Sequence, residues 1–201
     1  MSPFIINNSK LFLNALAKYS INTPLRVAHF FGQMHIETGN FTASVEDISY
    51  DKAQENYQNH RWLGNKLPGD GYRFRGRGIT QLTGRYNYDQ YKKYSGLDVI
   101  NNPDLVQRVD VSIDVACWYW SVYKKINQFA DNDDHFKVSA KINGVDKNGL
   151  PKHYAERKAS VEKYKKLDIL ALLKKKIKLP NPFARINKYG LWNSFVQAIK
   201  K

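Results

Sequence analysis

Apolar side chains recur at three- and four-residue steps along most of the chain, which is the spacing of a helix with one buried face. The clearest such face consists of Leu25, Ala28, Phe31 and Met34. Thr23 precedes this segment as an N-cap, Pro24 suits the first helical position, and Gly39 is a natural stop. The pattern therefore predicts a helix from Pro24 to just before Gly39.

The same spacing predicts several further helices, at 10–19, 84–94, 109–124, 136–142, 151–167 and, after Pro180 and Pro182, 190–200. Segment 109–124 is apolar nearly all round, which is typical of a buried central helix, so Trp118 and Trp120 are predicted to lie in the core. Residues 62–78 are rich in Gly, Pro and Arg and predict an irregular loop with a short hairpin. Loops of this kind often line binding sites.

Composition narrows the class of protein. The 201 residues are 42% hydrophobic and 13% aromatic, which is enough for one sizeable core and too apolar for a disordered chain. No stretch approaches the roughly 18 apolar residues of a membrane span, and the first twenty residues lack the pattern of a secretion signal. A lone Cys117 excludes an internal disulfide and, inside an apolar helix, is predicted to be a core residue rather than a nucleophile. Scattered histidines fit none of the usual zinc spacings, so we predict neither metal nor cofactor.

Positive charge is concentrated at one end of the chain. The net charge is +14, and residues 157–201 hold 13 Lys and Arg against Glu162 and Asp168, a net of +11. This asymmetry favours an anionic partner such as nucleic acid, lipid headgroups or a bacterial envelope rich in phosphate and carboxylate. A solvated basic face is the alternative. Lys and Arg alternate there with Leu, Trp and Phe, as in an interfacial helix or in a helix packed on its own core.

Two carboxylates are candidates for acid and base chemistry. Glu37 ends the apolar helix that stops at Gly39, and an apolar environment raises the pKa of a carboxyl, as a general acid requires. A solvated Glu at a helix end is the alternative. Glu46 follows nine residues later, after a turn, so the two side chains could face each other across a groove. Glycosidases use such a pair, although 18 acidic residues supply many pairs.

The stretch GRGITQLTGRYNY, residues 76–88, places two glycines around Arg77 and then a polar helix entrance with Gln81, Thr83 and Asn87. Thr83 and Asn87 are four residues apart on one helical face, so they could present a hydroxyl and an amide to a water or a sugar. A phosphate-binding loop is disfavoured, because GxxxxGK[ST] and a preceding βαβ pattern are both lacking.

Six motifs in this order resemble glycoside hydrolase family 19, and in particular its compact phage and prophage endolysins: FFGQMHIETGNF, SVEDISYD, YRFRGRGITQLTGRYNY, NNPDLV, ACWYW and KINGVDKNGLPKHYAERKASVEKYK. The resemblance runs from about residue 24 to about residue 168. It implies a mainly helical, lysozyme-like α+β fold with a deep substrate groove. The sequence therefore predicts a catalytic domain at 1–168 and a basic amphipathic C-terminal segment at 169–201, packed on that domain or appended to it.

The resemblance also implies residue roles. Glu37 matches the general acid, Glu46 the base that activates water, and Thr83 the hydroxyl that positions that water. The positions that match sugar-binding or groove-bracing residues are Asn87, Asn143, Gln81, Arg77 and Arg157.

This chain departs from the common family pattern at two positions near the acid. Ile36 stands where histidine is usual, with His35 one place earlier, and Asn40 replaces a glycine. Plant-type members place their base in a longer insertion, where Glu55 is the nearest counterpart. The nine-residue spacing and the following Ile-Ser-Tyr favour Glu46.

The function implied is that of an endolysin, which cleaves the β-1,4 bond between N-acetylmuramic acid and N-acetylglucosamine in peptidoglycan by inverting hydrolysis and so lyses the host. We expect a monomer without a cofactor or a specific nucleic acid, made in the host cytoplasm and acting in the periplasm. The basic segment is expected to contact lipopolysaccharide or the outer membrane. The alternatives are a chitinase, a lytic transglycosylase, which needs no base, and a non-catalytic protein that binds cell wall or nucleic acid.

Overall fold

Helices joined by short loops make up the computed structural model, which describes residues 1–39, 41 and 45–178. The α-helices are α1 (Pro3–Asn7), α2 (Ser9–Lys18), α3 (Pro24–Glu37), α4 (Tyr50–Tyr57), α5 (Asp70–Arg73), α6 (Arg85–Ser95), α7 (Val109–Trp118), α8 (Asn127–Asp131), α9 (His135–Asn143), α10 (Tyr154–Lys165) and α11 (Ile169–Lys178). A 3-10 turn spans Pro103–Gln107 and a π-helical turn spans Tyr119–Tyr123. The mainly helical fold class is confirmed.

Helix α3 begins and ends as its sequence predicts. The Thr23 side chain accepts a hydrogen bond from the Arg26 amide, Pro24 is the first helical residue, and the helix stops at Glu37. Its middle packs closely on α10, because a Cβ at Gly32 would lie only 2.7 Å from the Val161 Cα. Glycine at this position therefore allows the two helices to touch backbone to backbone.

The predicted central helix is buried but is not one regular element. Trp118, Trp120 and Cys117 are at most 2% exposed, so their prediction as core residues is confirmed. The α-helix ends at Trp118 and the backbone continues into the π-helical turn that carries Tyr119 and Tyr123. Single π-helical turns often occur at functional sites, and periodicity over a window of this length does not reveal them.

The sequence pattern missed the helices α1, α4 and α8. Helices α1 and α8 have five residues each, too few for a periodic signal, and the polar helix α4 buries only Ala53. The loop prediction for 62–78 holds, with α5 as one short turn inside it. The β structure there consists of isolated bridges from Arg77 to Val45 and to Leu82.

The C-terminal segment begins on the same core. Ile169 and Leu173 of α11 are buried in the cluster formed by the earlier helices. Pro180, Pro182 and the predicted helix at 190–200 lie outside the described residues. Among the helices of the described part of the chain, none is long and apolar enough to cross a membrane.

Candidate active site

Glu37, the predicted acid, is the last residue of α3 and is held by two donors. Its Oε1 accepts hydrogen bonds from Asn143 Nδ2 at 2.7 Å and from Arg157 Nη2 at 2.6 Å. Its side chain is 23% exposed. The environment is thus polar rather than the apolar one that the sequence suggested. Because both bonds go to Oε1, the other carboxylate oxygen has no hydrogen-bond partner among the described residues.

The buried Arg157 side chain fixes the position of Glu37. The side chain is 2% exposed, and its remaining donors bond the Lys152 carbonyl and Gln33 Oε1, each at 2.8 Å. The Gln33 amide in turn donates to Ser139 Oγ at 3.1 Å. The guanidinium therefore ties α3 to α10 and, through Gln33, to α9. It braces the site through Glu37, and its burial closes it to a ligand.

Glu46, the predicted base, is fixed through both carboxylate oxygens. Its Oε2 accepts from the Gly76 amide at 3.0 Å, and its own amide donates to the Gly76 carbonyl at 2.9 Å. Its Oε1 accepts from the Tyr57 hydroxyl at 2.6 Å. Burial and the adjacent Glu46 carboxylate raise the pKa of Tyr57 to about 12, so Tyr57 keeps its proton at neutral pH and acts as the donor.

Glu55, the alternative base, has a different setting. Its side chain is 69% exposed and pairs with Lys52 on the same helix at 2.8 Å. The hydrogen bond from Lys52 lowers the pKa of this exposed carboxyl. Glu46 is the carboxylate that the fold attaches to the 76–83 loop.

The 76–83 loop packs its polar groups tightly against Glu46. A Cβ at Gly76 would lie 2.6 Å from Gln81 Oε1 and 3.3 Å from Glu46 Oε2, so these two oxygens flank the glycine. Gln81 has a φ of 48° and donates from Nε2 to the Gly78 carbonyl at 2.9 Å. The Thr83 hydroxyl donates to the Gln81 carbonyl at 2.8 Å. Its oxygen keeps lone pairs with which to accept from a water.

Arg77 is an internal support of this loop. It is 3% exposed, and its guanidinium bonds Asp104 Oδ1 at 3.0 Å, the carbonyls of Arg73 and Arg75, and the Tyr88 hydroxyl. Arg77 is thus buried behind the loop backbone that it supports, and it does not lie at a surface that a sugar could reach.

Asn87 links the loop to an open cavity. Its Nδ2 donates to the Thr83 carbonyl at 2.7 Å and its Oδ1 accepts from the Tyr123 hydroxyl at 3.1 Å. Asn87 and Tyr123 line a cavity of about 530 Å³ together with Tyr119. Burial first, and then Tyr123 and the Glu37 carboxylate, raise the pKa of Tyr119.

The predicted residues therefore form two groups, each joined internally by hydrogen bonds. Glu37, Asn143 and Arg157 make one at the end of α3, and the other runs from Glu46 through the 76–83 loop to Asn87. Sequence reasoning missed three contacting side chains, Gln33, Tyr57 and Tyr123. Tyr57 lies eleven residues after Glu46 on a polar helix, so no periodic or charge signal marks it.

One cluster of potential metal ligands occurs in the described part of the chain, at a different place. Ligand atoms of His29, Asp133 and His135 lie within 4.8 Å of one another. The Lys165 ammonium already contacts Asp133 Oδ2 at 2.5 Å and Glu162 Oε1 at 2.7 Å, and it lies 3.4 Å from His135 Nε2. A protein cation thus neutralises this cluster.

Known proteins support the fold and the family. The family model described as chitinase class I, glycoside hydrolase family 19, matches residues 5–133. A glycosyl hydrolase family 19 domain-containing protein of Haemophilus influenzae is 38% identical over 88 residues, which are 44% of this chain and 42% of that protein. An acidic 27 kDa endochitinase of Solanum lycopersicum is 38% identical over 98 residues, which are 47% of this chain and 35% of that protein. The aligned regions thus span less than half the length of either relative.

Solved structures extend the likeness over most of the fold. A bacterial family 19 chitinase matches with a TM-score of 0.63 and 25% identity, covering 82% of this chain and 85% of that one. Chitinase C of Streptomyces griseus has the same fold with a TM-score of 0.64, at 21% identity, over 82% of this chain and 69% of that one. With more than half of its residues matched by the family model, the chain belongs to glycoside hydrolase family 19.

Proposed function

We propose that this protein hydrolyses β-1,4 bonds between N-acetylmuramic acid and N-acetylglucosamine in peptidoglycan, as the endolysin branch of the family does. Glu37 protonates the glycosidic oxygen through Oε2, because Arg157 and Asn143 hold Oε1. Glu46 accepts a proton from the attacking water, which the Thr83 hydroxyl orients. Attack from the face opposite the leaving group inverts the anomeric configuration.

The observation that carries a hydrolytic mechanism is the fixed position of Glu46. Tyr57 and the Gly76 amide hold the carboxylate in place, and each oxygen keeps a lone pair for water. A lytic transglycosylase needs an acid but no water-activating base. The Glu46 setting therefore favours hydrolysis, which leaves a reducing end, over formation of a 1,6-anhydro end.

Charge favours peptidoglycan as the polymer. The chain carries a net charge of +14, and peptidoglycan bears carboxylates whereas chitin is neutral. Chitin is the second candidate substrate, because the Solanum lycopersicum relative is named an endochitinase and the structural neighbours are named chitinases.

Digestion of purified Gram-negative peptidoglycan tests the proposal. Wild type, Glu37→Gln and Glu46→Gln are compared, and the released muropeptides are identified by mass spectrometry. We expect reducing-end products from wild type and loss of release in both variants. Anhydro products with Glu46→Gln still active would indicate a transglycosylase. Absence of release by wild type, together with cleavage of chitin oligosaccharides, would indicate a chitinase.

We also propose the endolysin setting that the sequence suggested: synthesis in a host cytoplasm, action on the periplasmic wall, and contact of the basic C-terminal segment with lipopolysaccharide. Deletion of residues 179–201 keeps every described helix. The deletion is expected to weaken killing of intact Gram-negative cells while leaving hydrolysis of purified wall unchanged. Equal killing by both forms would refute the role of the segment.

A further inference from the structure

The cavity beside Asn87 is lined by cations and aromatic rings. Arg61, Lys66 and Lys124 border it together with Trp62 and Tyr86, and its described lining residues include no carboxylate. Trp62 is 70% and Tyr86 is 48% exposed. Flat exposed rings of this kind offer stacking surfaces to the apolar faces of sugar rings, while the cations attract negative charge.

None of the three cations has an ion-pair partner among the described residues. The Arg61 guanidinium lies over the Trp62 ring, with Cζ 4.6 Å from the ring centroid. The Lys124 ammonium lies 5.3 Å and 5.4 Å from the ring centroids of Tyr119 and Tyr123. Arg61 and Lys124 are thus held against π faces rather than against carboxylates, which leaves their charge available to an external anion.

Lys124 is the most informative of the three. Its side chain is half-buried, and burial together with the nearby Lys141 lowers its pKa. A partly desolvated ammonium with a like charge beside it and no counter-ion is unfavourable in the free protein. An anion that enters the cavity would supply the missing counter-charge, and the Coulomb attraction is stronger there than at an open surface.

The cavity adjoins the loop that holds the proposed base. Asn87 lines the cavity and donates to the Thr83 carbonyl at 2.7 Å, and Thr83 belongs to the 76–83 loop whose Gly76 amide holds Glu46. A group bound beside Lys124 would therefore belong to a sugar unit near the bond that is cleaved. An unsubstituted chitin strand carries no anion to place there.

We propose that this cavity is a carboxylate-binding subsite, in which Lys124, Lys66 and Arg61 recognise a carboxylate carried by the glycan strand next to the cleaved bond. The inference rests on the proposed peptidoglycan activity and names the feature of the substrate that the site selects. The carboxylate has two sources, the lactyl group of N-acetylmuramic acid where the stem peptide has been removed, and the stem peptide where it is present.

Binding to an inactive enzyme tests the subsite without turnover. In the full-length Glu37→Gln background, calorimetry compares three tetrasaccharides: one with stem peptides, one with free lactyl carboxylates, and neutral chitotetraose. Lys124→Gln is expected to weaken binding of a carboxylate-bearing ligand about tenfold, which is the effect of losing one charge-assisted contact, and to leave chitotetraose unchanged. Lys66→Gln provides a second variant at an exposed position, and Lys93→Gln, whose lysine pairs with Asp89, is the control.

The ligands separate the outcomes. A loss confined to the stem-bearing ligand assigns the carboxylate to the peptide, and a loss confined to the lactyl ligand assigns it to muramic acid. A loss for both shows that the subsite accepts either source. Unchanged binding of both acidic ligands in both variants would overturn the inference, as would an equal loss for chitotetraose. Charge-dependent binding combined with no release from peptidoglycan by wild type would refute the proposed function and leave the subsite standing.

Discussion

Arg157 offers the sharpest test of how the site is built, because one side chain carries both fold and function. Its guanidinium is 2% exposed and reaches three acceptors on the Lys152 backbone, Gln33 and Glu37. Truncation in Arg157→Ala leaves the partly buried Glu37 carboxylate without its cation, and breaking a buried pair costs about 3–5 kcal/mol. For a chain of this length each kcal/mol lowers Tm by about 2–4 °C, so we expect a fall of about 6–20 °C.

Arg157→Lys separates charge from geometry. A lysine restores the positive charge but presents one compact ammonium in place of a fork that reaches three acceptors. We expect this variant to recover part of the stability and little of the activity, because Glu37 Oε1 is then held in a less defined position. Urea unfolding gives the free energy, and hydrolysis of peptidoglycan well below each midpoint gives kcat and KM separately.

Arg108→Ala is the matched control. Arg108 pairs with Asp110, but its side chain is 59% exposed, so removal costs about 1 kcal/mol or less. If Arg157→Ala were no less stable than this control, the buried network would not support the fold. If Arg157→Lys kept full kcat, the fork geometry would not position Glu37.

Three further predictions follow from single contacts. Tyr57→Phe removes the hydrogen bond to Glu46 and is expected to lower kcat/KM about tenfold with little change in Tm. Burial lowers the pKa of His29, so below pH ~6.5 the unfolded chain binds a proton more readily than the folded chain. Stability therefore decreases as the pH is lowered, and His29→Gln should flatten that slope in thermal melts between pH ~7.5 and ~5.5. Gly32→Ala forces α3 and α10 apart, and should cost about 1–3 kcal/mol in urea unfolding as well as activity.

Each of these predictions has a result that contradicts it. Full activity of Tyr57→Phe would show that the Gly76 amide alone positions Glu46. The control for pH is His60→Gln, because that histidine is exposed, and an equally flattened slope in this control would remove the role of His29. Wild-type stability of Gly32→Ala would show that the helix pair can relax without loss.

Local signals in the sequence predicted the elements whose causes are local. Thr23 starts α3 with a side-chain cap, and Pro24 starts it with a fixed φ. Both effects depend only on the identity of these two residues. The placement of Glu37 at the end of that helix followed directly. The irregular loop before residue 78 followed from its glycines and prolines.

Long-range contacts could not be predicted in this way. The partner of Glu37 comes from a helix 120 residues later, and Asn143 comes from 106 residues later. Family resemblance suggested that Arg157 and Asn143 belong to the groove, but which of them is buried is decided by packing of α10 on α3. The π-helical turn at Tyr119 likewise depends on tertiary contacts, because helix propensity is a weak prior that packing overrides.

The two carboxylates are held by different means, and this difference matches the two roles proposed for them. Glu37 is fixed at one oxygen by charged and amide donors from α9 and α10, so its other oxygen is available to carry and release a proton. Glu46 is fixed at both oxygens, by a tyrosine hydroxyl and by a backbone amide. The helices that support Glu37 and the loop that supports Glu46 are separate parts of the fold. Substitutions in one part should therefore impair one proton transfer without displacing the other carboxylate.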